Sequence, residues 1–200
     1  MALFSRERTA RGRSAAREAV CVGAFAAITA VLSQLSIPIG PVPISCSLVA
    51  VYLSGLLLPV KSAVMSQLVY LLLGLAGVPV FAGFQAGAAR LAGPTGGYLL
   101  VYPVLALLVS LCMHRFDRTL RQKPLAKRAA ALGGILLLAL AICYLCGTAW
   151  FAVFSGTGFA SALALTALPF LAGDMAKIVL CVALTLLSRD RLQKVVRGRL

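Results

Sequence analysis

Six apolar runs, parted by basic clusters or by Gly- and Pro-rich connections, set the pattern of this chain. The first covers about Ala19 to Leu35. It stops at Pro38-Ile39-Gly40-Pro41-Val42-Pro43, where clustered prolines cannot continue a helix. The second, about Ser45 to Leu58, ends at Pro59 and is shorter than the ~20 residues a perpendicular membrane helix needs. It is therefore expected to lie buried among other helices or to be completed by its flanks. Lys61 marks a tight turn before the third run, about Ser62 to Leu75. Gly77 to Gly97 is apolar yet rich in glycine, as befits irregular backbone that re-enters the membrane or caps a cavity. The fourth run, about Tyr98 to Met113, leads through His114 into a basic linker ending at Arg128. A long fifth run, about Ala129 to Phe154, precedes a small uncharged loop, Ser155 to Thr166. The sixth covers about Leu168 to Ser188. The expectation is an all-α polytopic membrane protein with six transmembrane helices and a Gly-rich capping loop between helices 3 and 4. Residues 19–188 form one membrane domain between a basic N-terminal segment, 1–18, and a basic tail, 189–200.

Composition agrees: the chain is 61% hydrophobic and 12% charged, whereas a soluble domain is about 25% charged. A net charge of +14 suggests nucleic acid only until the charges are placed. All but two of the 19 Lys and Arg residues lie in the N-terminal segment, at Lys61, after the fourth run, or in the tail. With six crossings these regions share one side, so both termini are expected in the cytoplasm, with the basic clusters against anionic lipid. No nucleic-acid partner is expected. The first apolar run is too long for a signal-peptide core and is read as a retained span. The six cysteines fall in the apolar runs, where a thiol packs as a small hydrophobe. Cys143 and Cys146 supply two of the four ligands a structural zinc needs, and neither a second pair nor a nearby His completes the set, so no metal site is expected.

The two remaining cations are Arg90 and Lys177, both assigned to the outer half. Lys177 lies three residues after Asp174, in the run opened by Pro169-Phe170-Leu171-Ala172-Gly173, and Asp174 is the only acid in the long apolar segments. At this spacing the two share a helical face, roughly 9 Å below Leu168 for Asp174 at 1.5 Å per residue. A charge at mid-bilayer costs roughly 2.5–3.5 kcal/mol, so it faces a partner or a cavity. One reading is a mutually satisfied ion pair that pins the helix. Another is the polar floor of an outward-facing pocket, Asp174 accepting a ligand N–H and Lys177 donating to a ligand oxygen. A third is proton coupling through Asp174. Arg90 is either a plain surface charge or a bidentate partner for a carboxylate. Gln85, Thr95 and Tyr98 are further polar candidates in the Gly-rich segment, and Gln67 suits a helix–helix hydrogen bond. Ala15, Ala19, Gly23 and Ala27 repeat every four residues, with Ala26 and Ala30 in a second row. Such small residues either pack the first helix within the chain or dock a partner helix. No phosphate loop and no Ser-His-Asp set is present, so no catalytic residues are assigned.

Three blocks carry a family resemblance: Ser66-Gln67-Leu68-Val69-Tyr70 onward to Gly83, Gly93-Pro94-Thr95-Gly96-Gly97-Tyr98, and Pro169 to Lys177. They resemble BioY, the biotin-binding S components of energy-coupling-factor vitamin transporters. The resemblance implies a six-helix subunit of the bacterial plasma membrane whose outer loops cap a biotin site. Asp174 and Lys177 match the family's pocket residues on helix 6, and the Gly83 to Tyr98 segment matches its loop between helices 3 and 4. Ala15, Ala19, Gly23 and Ala27 match positions where S components meet the transmembrane coupling subunit, which with two ATPases supplies the power stroke. Biotin is then a transported ligand, and no cofactor or enzymatic activity is implied. Departures exist: Pro43-Ile44-Ser45-Cys46-Ser47-Leu48 stands where the family has Pro-Ile-Thr-x-Gln-Thr, so a glutamine is lost. Pro59-Val60-Lys61 replaces Gly-Pro-Lys, and Ala172 replaces a proline. The alternatives are an S component for another vitamin, a proton-coupled carrier and a membrane-bound enzyme.

Overall fold

The computed structural model describes the backbone of residues 2–38 and 42–196, and side chains for 15–38, 42–43, 45–116, 119–120 and 122–188. The middle of the Pro-rich connection, the side chains of Arg6, Arg8, Arg11 and Arg13 and those of the basic tail lie outside the described residues. Nine α-helices are described: α1 (Ala2–Gln34), α2 (Ser47–Leu57), α3 (Val60–Leu75), α4 (Ala88–Ala92), α5 (Gly96–Leu100), α6 (Tyr102–Arg121), α7 (Leu125–Ser155), α8 (Phe159–Thr166) and α9 (Leu171–Val196). Four helical stretches, Ala15–Gln34, Gly96–Phe116, Leu125–Ser155 and Phe159–Ser188, are long and apolar enough to cross a membrane. Helices α2 and α3 are apolar but shorter.

The short α2 lies at the centre. It is buried nearly all round and packs against α1, α3, α6 and α9. At 1.5 Å per residue, 11 residues span only about 16 Å, and a helix that is apolar on every face belongs in an interior. Its residues Val51 and Tyr52 join Tyr70, Leu105, Val109, Leu132, Leu136 and Cys181 in the main core. Gln67, fully buried on α3, donates to Ser54 Oγ on α2 at 3.2 Å and lies 3.4 Å from Thr29 Oγ1 on α1. This is the helix–helix hydrogen bonding that its sequence position suggested. Ser110 Oγ on α6 donates to the Leu58 carbonyl at 3.0 Å, satisfying an acceptor freed at the end of α2.

The connections at the opposite end depart from the simple reading. The residues flanking the Pro-rich connection pair as two short antiparallel strands, β1 (Ser36–Ile37) and β2 (Ile44–Ser45), because the prolines lie between the paired residues and leave their N–H groups free. The all-α expectation holds, with this two-residue pairing as its one small β element among the described residues. Within Gly77 to Gly97 the chain forms α4 and α5 and a tight loop in which Phe81 and Gln85 exchange backbone hydrogen bonds at 2.9 and 3.1 Å. The end of α1 holds this loop. Gln34 Nε2 donates to the Val80 and Phe81 carbonyls at 3.1 and 3.2 Å, Ser33 Oγ also donates to the Val80 carbonyl, and Gln34 Oε1 accepts the Phe84 N–H at 2.8 Å. The stretch expected as a plain loop, Ser155 to Thr166, contains α8, since Phe159-Ala160-Ser161-Ala162-Leu163-Ala164-Leu165 is mostly good helix former. A 3-10 turn over Leu168–Phe170 then precedes α9, so Asp174 sits in the first turn of its helix and not partway down one beginning at Leu168.

Two glycines are set by close approach. A Cβ on Gly97 would lie 2.3 Å from Trp150 Cβ on α7, and one on Gly147 would lie 2.2 Å from the Tyr98 ring. Gly134, on the same α7, faces open space. Gly97→Ala is therefore expected to lower stability by about 1–3 kcal/mol through overpacking. Gly134→Ala is expected to be neutral or to raise stability by up to about 1 kcal/mol. The unfolding midpoints of the two detergent-purified variants check the contrast.

Candidate functional site

Asp174 is 3% exposed, so its charge must be met within the protein. Three sources meet it. The first turn of α9 contributes the positive end of the helix dipole. Lys177 Nζ lies 2.7 Å from Oδ1, and the Tyr144 hydroxyl, from α7, donates to Oδ2 at 2.5 Å. Lys177 Nζ also donates to the Ser45 carbonyl of β2 at 2.7 Å. Three elements distant in sequence thus converge on one ion pair. The inventory is not exhausted. An ammonium has three donors and a carboxylate about four acceptor sites, so each partner keeps capacity for a ligand.

The pair lines one lobe of a cleft, with Leu48, Cys143, Tyr144 and Phe170. A second lobe holds Arg90, Thr95, Phe81, Ala82 and Leu99. Val42, Pro43, Ser45, Tyr98 and Tyr102 line both, so the two lobes adjoin. The walls are mostly apolar and the polar groups few, as in small-molecule sites.

The candidate residues fall into three groups. Asp174, Lys177, Arg90, Thr95 and Tyr98 all line the cleft. The Tyr98 hydroxyl, however, is engaged by Thr148 Oγ1 at 3.0 Å and Thr166 Oγ1 at 2.9 Å, so Tyr98 offers a ring face to the cleft. Thr95 is the reverse: 6% exposed, with no hydrogen-bond partner for its hydroxyl among the described residues. Arg90 has no carboxylate partner among the described residues. Gln85 is exposed on the loop closed by Phe81 and lies outside the cleft lining. On α1, Ala15, Ala19, Gly23 and Ala27 are all exposed, while Ala26 is buried and Ala30 packs against the core. The two rows therefore face different ways, one into the chain and one out of it.

Sequence reasoning missed Tyr144, the Ser45 carbonyl and Tyr102. A tyrosine in the middle of a long apolar run was a usable signal, because a buried hydroxyl seeks a partner. The Ser45 carbonyl had none. At the position of the lost glutamine, Ser47 Oγ lies 2.6 Å from both the Tyr102 hydroxyl and Ser45 Oγ, so this side chain braces the cleft wall from within.

A model of the BioY family matches residues 6–194. The probable biotin transporter BioY of Pyrococcus horikoshii is 36% identical over 178 residues, 89% of this chain and 97% of that protein. Biotin transporter BioY2 of Lactococcus lactis is 37% identical over 155 residues, covering 78% and 80% of the two chains. Among solved structures, the S-component for biotin from an ECF-type ABC transporter superposes with a TM-score of 0.77 at 25% identity, over 94% of this chain and 93% of that one. With a family match across nearly the whole chain and relatives alike over most of their length, this protein belongs to the BioY family.

Proposed function

We propose that the protein captures biotin as the substrate-binding membrane subunit, the S component, of an ECF-type transporter. The observation that carries this reading is the Asp174–Lys177 pair with unspent hydrogen-bonding capacity, set in one lobe of a cleft whose other lobe holds Arg90 and a Thr95 hydroxyl with no partner among the described residues. Biotin has matching parts in matching order: a ureido head with two N–H donors and one acceptor, an apolar bicycle and chain, and an anionic tail. Asp174 takes a ureido N–H and Lys177 the ureido oxygen. Tyr98, Tyr102 and Phe170 flank the apolar body. Arg90 and Thr95 hold the carboxylate, and Gln85 belongs to the rim of the capping loop. Relatives named as biotin transporters support the ligand, and the same names support a transport subunit and not an enzyme.

In the membrane, α1, α2, α3, the joined α5 and α6, α7 and α9 serve as six crossings of one domain. Both termini lie on the cytoplasmic side of a bacterial plasma membrane, where the basic clusters meet anionic lipid. The exposed row Ala15, Ala19, Gly23 and Ala27 offers a close-packing face to the transmembrane coupling subunit, which works with two ATPases. A proton-coupled role for Asp174 is disfavoured by its engagement with both Lys177 and Tyr144.

Isothermal titration of the detergent-purified protein with biotin is expected to give one site per chain in the nanomolar range; absence of binding would overturn the reading. Asp174→Ala is expected to weaken biotin at least tenfold, about 1.4 kcal/mol, while leaving the protein monodisperse. Arg90→Gln is expected to weaken biotin but not its primary amide, which lacks the tail charge. Equal losses for both ligands would remove Arg90 from the carboxylate subsite.

A further inference from the structure

The two oxygens of Asp174 are held by different helices. Lys177, on Asp174's own helix, takes Oδ1, and Tyr144, thirty residues earlier on α7, takes Oδ2. The direction of the second bond follows from the chemistry, because an ionised carboxylate only accepts and the phenol must donate. Lys177 is likewise held from two sides, by Asp174 and by the Ser45 carbonyl on β2. A buried Asp and Lys at i,i+3 with no other partners would satisfy each other, the ammonium drawing on both carboxylate oxygens. A pair collapsed in that way has little left for a ligand. Here Lys177 instead takes Oδ1 alone, while Tyr144 occupies Oδ2 and the Ser45 carbonyl takes a second donor of the ammonium.

We propose that Tyr144 is a positioning residue: its hydroxyl locks the Asp174 carboxylate into one orientation, so that a ligand N–H meets a preset acceptor and not a group consumed by Lys177. The proposal rests on the reading of the cleft as a biotin site. It assigns Tyr144 an effect exerted through Asp174, distinct from the apolar wall it also contributes to the cleft.

The test is a double-mutant cycle. Biotin Kd and the unliganded melting temperature are measured for the wild-type chain, Y144F, D174N and Y144F/D174N in detergent. Y144F is expected to weaken biotin about tenfold, the scale on which supporting hydrogen bonds to a ligand-holding group act. The double variant is expected to bind no more weakly than D174N, because the orientation Tyr144 enforces has already lost its purpose. An unchanged Kd for Y144F would overturn the proposal. So would losses that multiply in the double variant, since Tyr144 would then act on the ligand or on packing independently of Asp174. Should Y144F alone not stay folded, comparing the double variant with D174N decides: equal affinity supports the proposal and weaker affinity overturns it. A wild-type chain that binds no biotin defeats the functional reading itself, and this proposal with it.

Discussion

One buried ion pair makes the heaviest demand on this structure. Taking a carboxylate and an ammonium out of water costs several kcal/mol per ion, and their mutual attraction repays this only when the remaining hydrogen-bonding sites are also met. Asp174 and Lys177 meet that condition by recruiting α7 through Tyr144 and the strand β2 through the Ser45 carbonyl, while the first turn of α9 adds its dipole. The connection between α1 and α2, helix α7 and helix α9 are therefore obliged to converge at one point. The cleft forms where they do.

The rest of the scaffold makes that convergence possible. A buried α2 too short to span a membrane alone lets four neighbouring helices close around it, tied by Gln67 and its hydroxyl partners. Next to the cleft, glycines admit aromatic rings at distances no Cβ would allow: Gly97 against Trp150, and Gly147 against Tyr98. Tyr98 consequently stands between the two lobes with its ring fixed by packing and its hydroxyl by Thr148 and Thr166. The loop bearing Phe81 and Ala82 is fastened to the end of α1 by Ser33 and Gln34. The loop that helps line the second lobe is thus fastened to the same helix that carries the exposed small-residue row.

Much of this was legible in the residues. Apolar runs and Pro, Gly and basic breaks located the apolar part of each long helix, because hydrophobic length and backbone breakers are local properties, but α1 begins at Ala2, α6 ends at Arg121 and α9 at Val196, each running on through a basic flank. The helical spacing of Asp174 and Lys177 put them on one face, and the cost of a charge in an apolar run marked them as partnered. The misses have equally definite causes. The α8 segment was passed over because its flanking glycines and small polar residues resemble a loop, although Ala and Leu carry its interior. The β1–β2 pairing depends on two segments meeting across a Pro-rich connection, which no local pattern announces.

What the sequence determined by itself is therefore the list of ingredients: apolar helices of given length, two charges on one face, a lone cation in a Gly-rich segment, and two rows of small residues on the first helix. Tertiary structure decided what each ingredient faces. It turned Ala26 inward and Ala15, Ala19, Gly23 and Ala27 outward, engaged the Tyr98 hydroxyl while leaving that of Thr95 without a partner among the described residues, and left Gln85 outside the cleft. It also brought Tyr144 to Asp174 and the Ser45 carbonyl to Lys177. The reason is geometric. Helical period and hydrophobicity are set by near neighbours, whereas the partner of a buried hydroxyl or carbonyl is chosen by how distant helices pack.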